Sequence, residues 1–239
     1  MKVSYNLNRN FLFFILILSC FIFLAACGTL NKPREKFTVS LKSPQVPIGE
    51  AELQFDRFMT FGRLKKESVE VLYFPREDAV CLKYRREMTT YYQFWSYAGR
   101  QTFITALEKY NRDYNERSLI TKNRKTIRSY GVVEGYLYWQ MFSFTVQAQG
   151  NMNVQLGYQF RDDAPYFSVN QREAEYKEEM SRDNNRTSAA VTMYFTRAQA
   201  AELAALFEQS FLQTVAIPSG AAVNKELIEE LPDGDRDMY

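Results

Sequence analysis

Residues 69–95, VEVLYFPREDAVCLKYRREMTTYYQFW, are the stretch whose reading decides the fold. Val69, Val71 and Tyr73 alternate up to Pro75, and Val80, Leu82 and Tyr84 alternate again after Arg76, Glu77 and Asp78. A period of two places successive side chains on opposite faces, so each run reads as a strand and the charged triplet as the turn of a hairpin. Thr89–Trp95 is a third run, rich in tyrosine and phenylalanine, which suit a pleated surface. Ser96 then stands where a hydroxyl accepts from the free N–H groups of a first helical turn. Ala98, Phe103, Ala106, Leu107, Tyr110 and Tyr114 follow at spacings of three and four, which predicts an amphipathic helix to about Glu116.

The same rhythm extends in both directions. Glu52–Phe61 carries Leu53, Phe55 and Met59 on one side. Tyr130–Phe144 reads as a long or paired strand, Val154–Phe160 as a clean alternation, and Thr187–Phe195 as the last strand. Gln149-Gly150-Asn151 and Asp162-Asp163-Ala164-Pro165 supply turn residues. Thr196 and Gln199 form a capping-box pattern at the head of a second helix, with Leu203, Leu206, Phe207 and Phe211 along one side. The expected fold class is α+β: antiparallel β-sheet with two amphipathic helices packed on it.

An offset of 100 residues aligns Trp95 with Phe195, Ser96 with Thr196 and Phe103 with Leu203. A duplicated ββββα arrangement is one reading of that match; two unrelated capped helices is the other. As a duplication, the order of elements resembles the Whirly and PUR-type folds. That resemblance implies single-stranded nucleic acid as a partner, but it covers no sequence motif.

The N-terminus is a separate problem. Met1–Asn10 carries Lys2 and Arg9 and no acid, and Phe11–Ala26 is an apolar run of 16 residues, short of the roughly 20 that cross a bilayer as a helix. Leu24-Ala25-Ala26-Cys27 resembles the lipobox of bacterial lipoproteins. The resemblance implies cleavage before Cys27, a diacylglyceryl thioether on its sulfur and acylation of the new amine, giving an anchor of several acyl chains. Gly28 after the cysteine favours the outer membrane over the periplasmic face of the inner membrane, by the enterobacterial rule.

The chain then divides into residues 1–26 as signal, 27–50 as lipidated tether with an edge strand over Phe37–Lys42, 51–217 as the globular domain, and 218–239 as an acidic tail. Nine residues from Gly28 to Lys36 place the domain about 15–20 Å from the lipid.

Removing Lys2 and Arg9 takes the 30 basic residues to 28, against 28 acids. A net charge of zero argues against nucleic acid as a partner. Of three cysteines, Cys20 leaves with the signal and Cys27 takes the lipid, so Cys81 stands alone and reads as a buried small apolar residue. The chain has no histidine, which removes the commonest general base, the Ser-His and Cys-His pairs and ordinary zinc sites. No catalytic residue, metal or cofactor is expected.

Two sets of residues stand out for binding. Tyr136, Tyr138 and Trp139, with the lone acid Glu134, could stack and hydrogen-bond a sugar or peptide. Lys122, Arg124, Lys125 and Arg128 lie in a stretch without acids and could meet anionic headgroups or an acidic polymer.

The expected function is a membrane-anchored, non-catalytic binding or envelope-assembly component, with an envelope protein or glycan as partner. The alternative is a histidine-free, carboxylate-based cell-wall hydrolase or transglycosylase. Replacing Cys27 with serine is predicted to put the chain in the soluble fraction or leave it as an uncleaved precursor, in either case without incorporated labelled fatty acid; labelling that persists would remove Cys27 from the assignment.

Overall fold

The structure, a computed structural model, describes residues 37–56, 63–120, 124–141, 146–174 and 187–216. Within it the alternating runs form eight strands: β1 (Val46–Asp56), β2 (Leu64–Phe74), β3 (Ala79–Arg86), β4 (Thr89–Trp95), β5 (Gly131–Met141), β6 (Val146–Arg161), β7 (Ala164–Gln171) and β8 (Val191–Phe195). Each pairs with the next, and β8 returns to pair with β1 through Gln54↔Tyr194 and Phe55↔Met193. All of these ladders are antiparallel.

The product is a closed barrel, which corrects the expected α+β sheet with helices laid on its face. The physical reason is that closure is a contact between the first and last strands. No periodicity within a strand encodes it.

Alternation fills the barrel from inside. Leu53, Val71, Leu82, Leu137, Leu156 and Val169 are buried on six different strands. Outward lie Glu50, Glu52, Lys66 and Glu70, paired in cross-strand contacts such as Lys66–Glu52 at 2.5 Å and Lys83–Glu70 at 2.7 Å. This apolar-in, charged-out pattern is the opposite of a lipid-facing barrel wall. Among the described residues, no helix is long and apolar enough to cross a membrane.

One part of the outer wall is apolar as well. Phe74, Cys81, Phe94 and Tyr136 form a second cluster there, covered by Val39 with Phe37 and Leu41. Phe37–Lys42 is therefore a strap across the wall and not the expected edge strand. Cys81 is buried in that cluster, and burial pushes its thiol well above its usual range.

Helix α1 (Tyr97–Asn115) joins β4 to β5, and α2 (Arg197–Phe207) and the short α3 (Gln209–Leu212) follow β8. Ser96 caps α1 by accepting from the Gly99 N–H, and Thr196 with Gln199 makes the reciprocal capping box of α2. The helices close one end of the barrel. Phe103 of α1 meets Trp95, Phe167 and Phe207 edge-on at 5.1–5.8 Å between ring centroids.

Arg100 ties this lid together. Its side chain is 0% exposed. It donates to the Phe207 carbonyl and Gln209 Oε1 at 3.0 Å, to the Asp78 carboxylate at 2.7 Å and to the Asp78 carbonyl at 3.2 Å. One guanidinium thus joins α1, the end of α2, α3 and the β2–β3 turn.

Turn geometry follows the residues. Asp162 and Asp163, between Arg161 and its partner Ala164, both take positive φ (48° and 62°), as a two-residue primed turn requires. Gln149-Gly150-Asn151, expected as a turn, lies inside the 16-residue β6.

At Gly157 the 3-10 turn Arg124–Arg128 lies directly on the wall, and a Cβ would fall 1.9 Å from the Thr126 carbonyl oxygen. Gly157→Ala is accordingly expected to cost about 2 kcal/mol of stability in urea denaturation. Arg100→Leu strands the Phe207 carbonyl and the Asp78 carboxylate, and is expected to cost about 3 kcal/mol. A change within about 0.5 kcal/mol would contradict either contact.

Tyr73, Tyr84, Tyr91 and Tyr194 are all raised from 10.0, in each case chiefly by burial. Above pH 10 the unfolded chain loses phenolic protons that the folded chain keeps. Stability is therefore predicted to be level below about pH 10 and to fall as pH rises through the folded-state values, read by denaturation at stepped alkaline pH.

Candidate functional site

The barrel's two ends differ. Opposite the helical lid, the ends of β1 and β3 and the starts of β4 and β8 surround a cleft of about 600 Å³. Tyr91 and Trp139, register partners on β4 and β5, line it from within the barrel. Polar groups surround them: Arg86, Glu87 and Thr89 at the β3–β4 hairpin, Asp56 at the end of β1, and Thr187, Ser188 and Thr192 on or before β8.

The floor is fixed by packing and by a chain of hydrogen bonds through the barrel interior. Tyr84 stacks on Tyr91 with centroids 5.2 Å apart and planes 15° off parallel. The Tyr84 hydroxyl donates to Gln171 Oε1 at 2.6 Å, and Gln93 Nε2 donates to the same oxygen at 3.2 Å. Trp95 Nε1 donates in turn to Gln93 Oε1 at 3.1 Å. Two buried amides inside an apolar barrel need such partners, and the chain links the mouth to the residue beneath the lid. Burial holds the Tyr84 and Tyr91 phenols above their ordinary range, so both are neutral donors at physiological pH.

The rim is held by contacts between strands on both faces of the wall. Arg86 donates to the Asp56 carbonyl at 2.6 Å and lies 4.7 Å over the Phe55 ring. The Asp56 carboxylate accepts from Arg161 through one oxygen and from the Tyr194 hydroxyl, at 2.9 Å, through the other. Burial, then Asp56, pushes the Tyr194 phenol up. Ser188 is pinned to Ala174, the Ala174 N–H donating to its Oγ at 2.9 Å.

The sequence-derived sites are divided by the barrel wall. Trp139 faces inward and lines the mouth. Tyr136 and Tyr138 face outward, Tyr136 beside Phe94 and Tyr138 edge-on to Tyr92 at 5.8 Å, within the cluster that the strap covers. Glu134 is exposed on that outer side, in register with Asn153. Trp139 therefore does not share a surface with the other three.

Arg124 and Lys125 begin the 3-10 turn, and Arg128 is exposed at its end. Lys122 and Cys27 lie outside the described residues.

Sequence reasoning missed Asp56, Arg86, Gln93 and Gln171. Gln93 had a readable signal: it occupies the inward parity of TTYYQFW, between Tyr91 and Trp95, where a polar side chain needs a partner. Among the described residues there is no group of three or more Cys, Asp or Glu side chains placed to hold a metal ion.

No curated protein and no solved structure matches the chain. Residues 29–214 match the model of one family, described as "Uncharacterised Treponema protein". That match spans well over half of the 239 residues, and the chain belongs to this family.

Proposed function

We propose that the chain is a non-catalytic binding protein of the cell envelope, held to a membrane by lipid on Cys27, and that the open barrel end is its binding mouth. The observation that carries this reading is the asymmetry of the barrel. One end is plugged by aromatic side chains from two helices, and the other is a cleft with an aromatic floor and a hydrogen-bonding rim. An eight-stranded barrel is just wide enough to be filled by side chains or to hold one small ligand. Here Leu53, Leu82, Leu137 and Leu156 fill the middle at 0% exposure, so a ligand sits in the mouth and not in a deep calyx.

The chemistry of the mouth favours binding over turnover. Among the described residues, the acids that line it are Asp56 and Glu87, and both Asp56 oxygens are already engaged by Arg161 and Tyr194. Paired-carboxylate hydrolysis needs two free groups flanking the bond. Glu134, the acid on which the hydrolase alternative rested, does not line the cleft. The lipobox-like Leu24-Ala25-Ala26-Cys27 supports the anchor, and the family match begins two residues beyond it.

A soluble cell-wall disaccharide-peptide titrated into isotopically labelled protein is expected to shift the resonances of Arg86–Tyr91, Trp139 and Thr187–Thr192. Trp139→Leu should weaken that binding about tenfold by removing the aromatic edge at the floor of the cleft. Shifts confined to the Glu134, Tyr136 and Tyr138 wall, or release of cleaved product, would overturn the reading.

A further inference from the structure

A second cleft, of about 570 Å³, lies on the outer wall of β6, β7 and β8. Gln155 and Gln159 come from β6, Asn170 from β7 and Thr192 from β8, while Arg128 and Arg172 bring two guanidinium groups to the same cleft. No acid lines it among the described residues. The two clefts share Ala190 and Thr192, so they adjoin at the start of β8.

The amides are set in advance of any ligand. Asn170 Oδ1 accepts from Thr192 Oγ1 at 2.8 Å and from Gln159 Nε2 at 3.3 Å. Asn170 Nδ2 donates to the Ile127 carbonyl and to Ser168 Oγ at 3.4 Å, which ties the row to the 3-10 turn. Three adjacent strands at about 4.8 Å spacing spread this row across roughly 10 Å of wall. Asn170, buried with its donors and acceptor engaged, orders the row, and Gln155, Gln159 and Thr192 present the amides and hydroxyl that give and accept hydrogen bonds, which is what a polyhydroxylated surface requires. Both arginines are exposed at their ends, and a guanidinium pairs with a carboxylate in a two-pronged fork.

We propose that mouth and outer groove are one track for an anionic glycan. A sugar packs on the exposed edges of Trp139 and Tyr91, the chain crosses the wall at Thr192, and its carboxylates meet Arg128 and Arg172. This inference rests on the mouth as a binding site and adds the ligand's chemical class and its path. Charge complementarity selects the occupant: a neutral glycan leaves both guanidinium groups unpaired, and an acidic peptide lacks the hydroxyls that the amide row matches.

The test is calorimetric titration of the full chain in detergent micelles at low salt. The probes are tetragalacturonate, its fully methyl-esterified form, and tetra-aspartate. The acid form is expected to bind at least tenfold more tightly than the ester, with an affinity that falls as salt is raised. Arg128→Gln with Arg172→Gln should abolish that tenfold preference, whereas Trp139→Leu should weaken both sugars and keep the preference. Equal affinity for acid and ester, an unchanged preference in the double variant, or tetra-aspartate binding as tightly as tetragalacturonate would overturn the track and leave the mouth standing. Indifference of both sugars to Trp139→Leu would overturn the mouth itself.

Discussion

The seam between β1 and β8 is the constraint on which the remaining structure depends. Seven of the eight ladders join strands that are neighbours in sequence, most of them through short turns. The eighth must join strands more than 130 residues apart, and it does so with two register pairs. So short a ladder needs support. Inside, Phe55 and Met193 meet the core, and outside, the Asp56 carboxylate spans to Tyr194 on β8 and Arg161 on β6. The first half of β1 runs beyond the reach of β8, and an uncovered edge there would invite pairing with another chain. Helix α2 covers it: at Gly49, whose φ of 153° suits glycine, Leu206 stands 3.4 Å from where a Cβ would be. Pro47, which has no N–H to give a ladder, sits in the same stretch.

Closure also explains why the two ends of the barrel have different characters. The chain leaves β4 and β8 at the same end, and both exits are capped helices, so the aromatic mass of α1 and α2 gathers there. Arg100 fixes those helices to each other and to the β2–β3 turn through groups on separate segments. Burying a guanidinium is costly unless it is paired, and burial does depress its proton affinity, against the opposing pull of Asp78. What such a residue supplies is a single arrangement of the lid. With one end filled, the interior polar chain from Trp95 through Gln93 and Gln171 to Tyr84 leads to the other, where Tyr91 and Trp139 meet solvent-facing polar groups.

Local elements were legible because local physics makes them. Thr89–Trp95 is a strand with the bounds its composition suggests, and Ser96 and Thr196 cap helices as their hydroxyls allow. Where sequence reading failed, a distant contact decided. Phe37–Leu41 alternates like a strand, yet the outer cluster at Phe74 and Phe94 takes it as a strap. Gly150 looks like a turn, yet Leu137 pairs with it in the middle of the longest hairpin. For the site, the parity of one strand put Trp139 on the opposite face from Tyr136 and Tyr138, but it does not say which face is inside. Asp56 and Arg86 are unremarkable in sequence and become rim residues only when the ends of β1 and β3 come together.

The closed barrel is tested most directly by a disulfide across its seam. Gln54 and Tyr194 are register partners facing outward on β1 and β8, within the Cα separation that a disulfide tolerates. In a chain whose three native cysteines have been replaced, Gln54→Cys with Tyr194→Cys is predicted to form an intramolecular disulfide rapidly under mild oxidation, the new bond replacing the Asp56–Tyr194 contact as the support of the seam. In an open eight-stranded sheet these positions would lie on opposite edges, about 30 Å apart. Failure to cross-link, or cross-linking only between chains, would contradict closure, and with it the division into a lidded end and an open mouth.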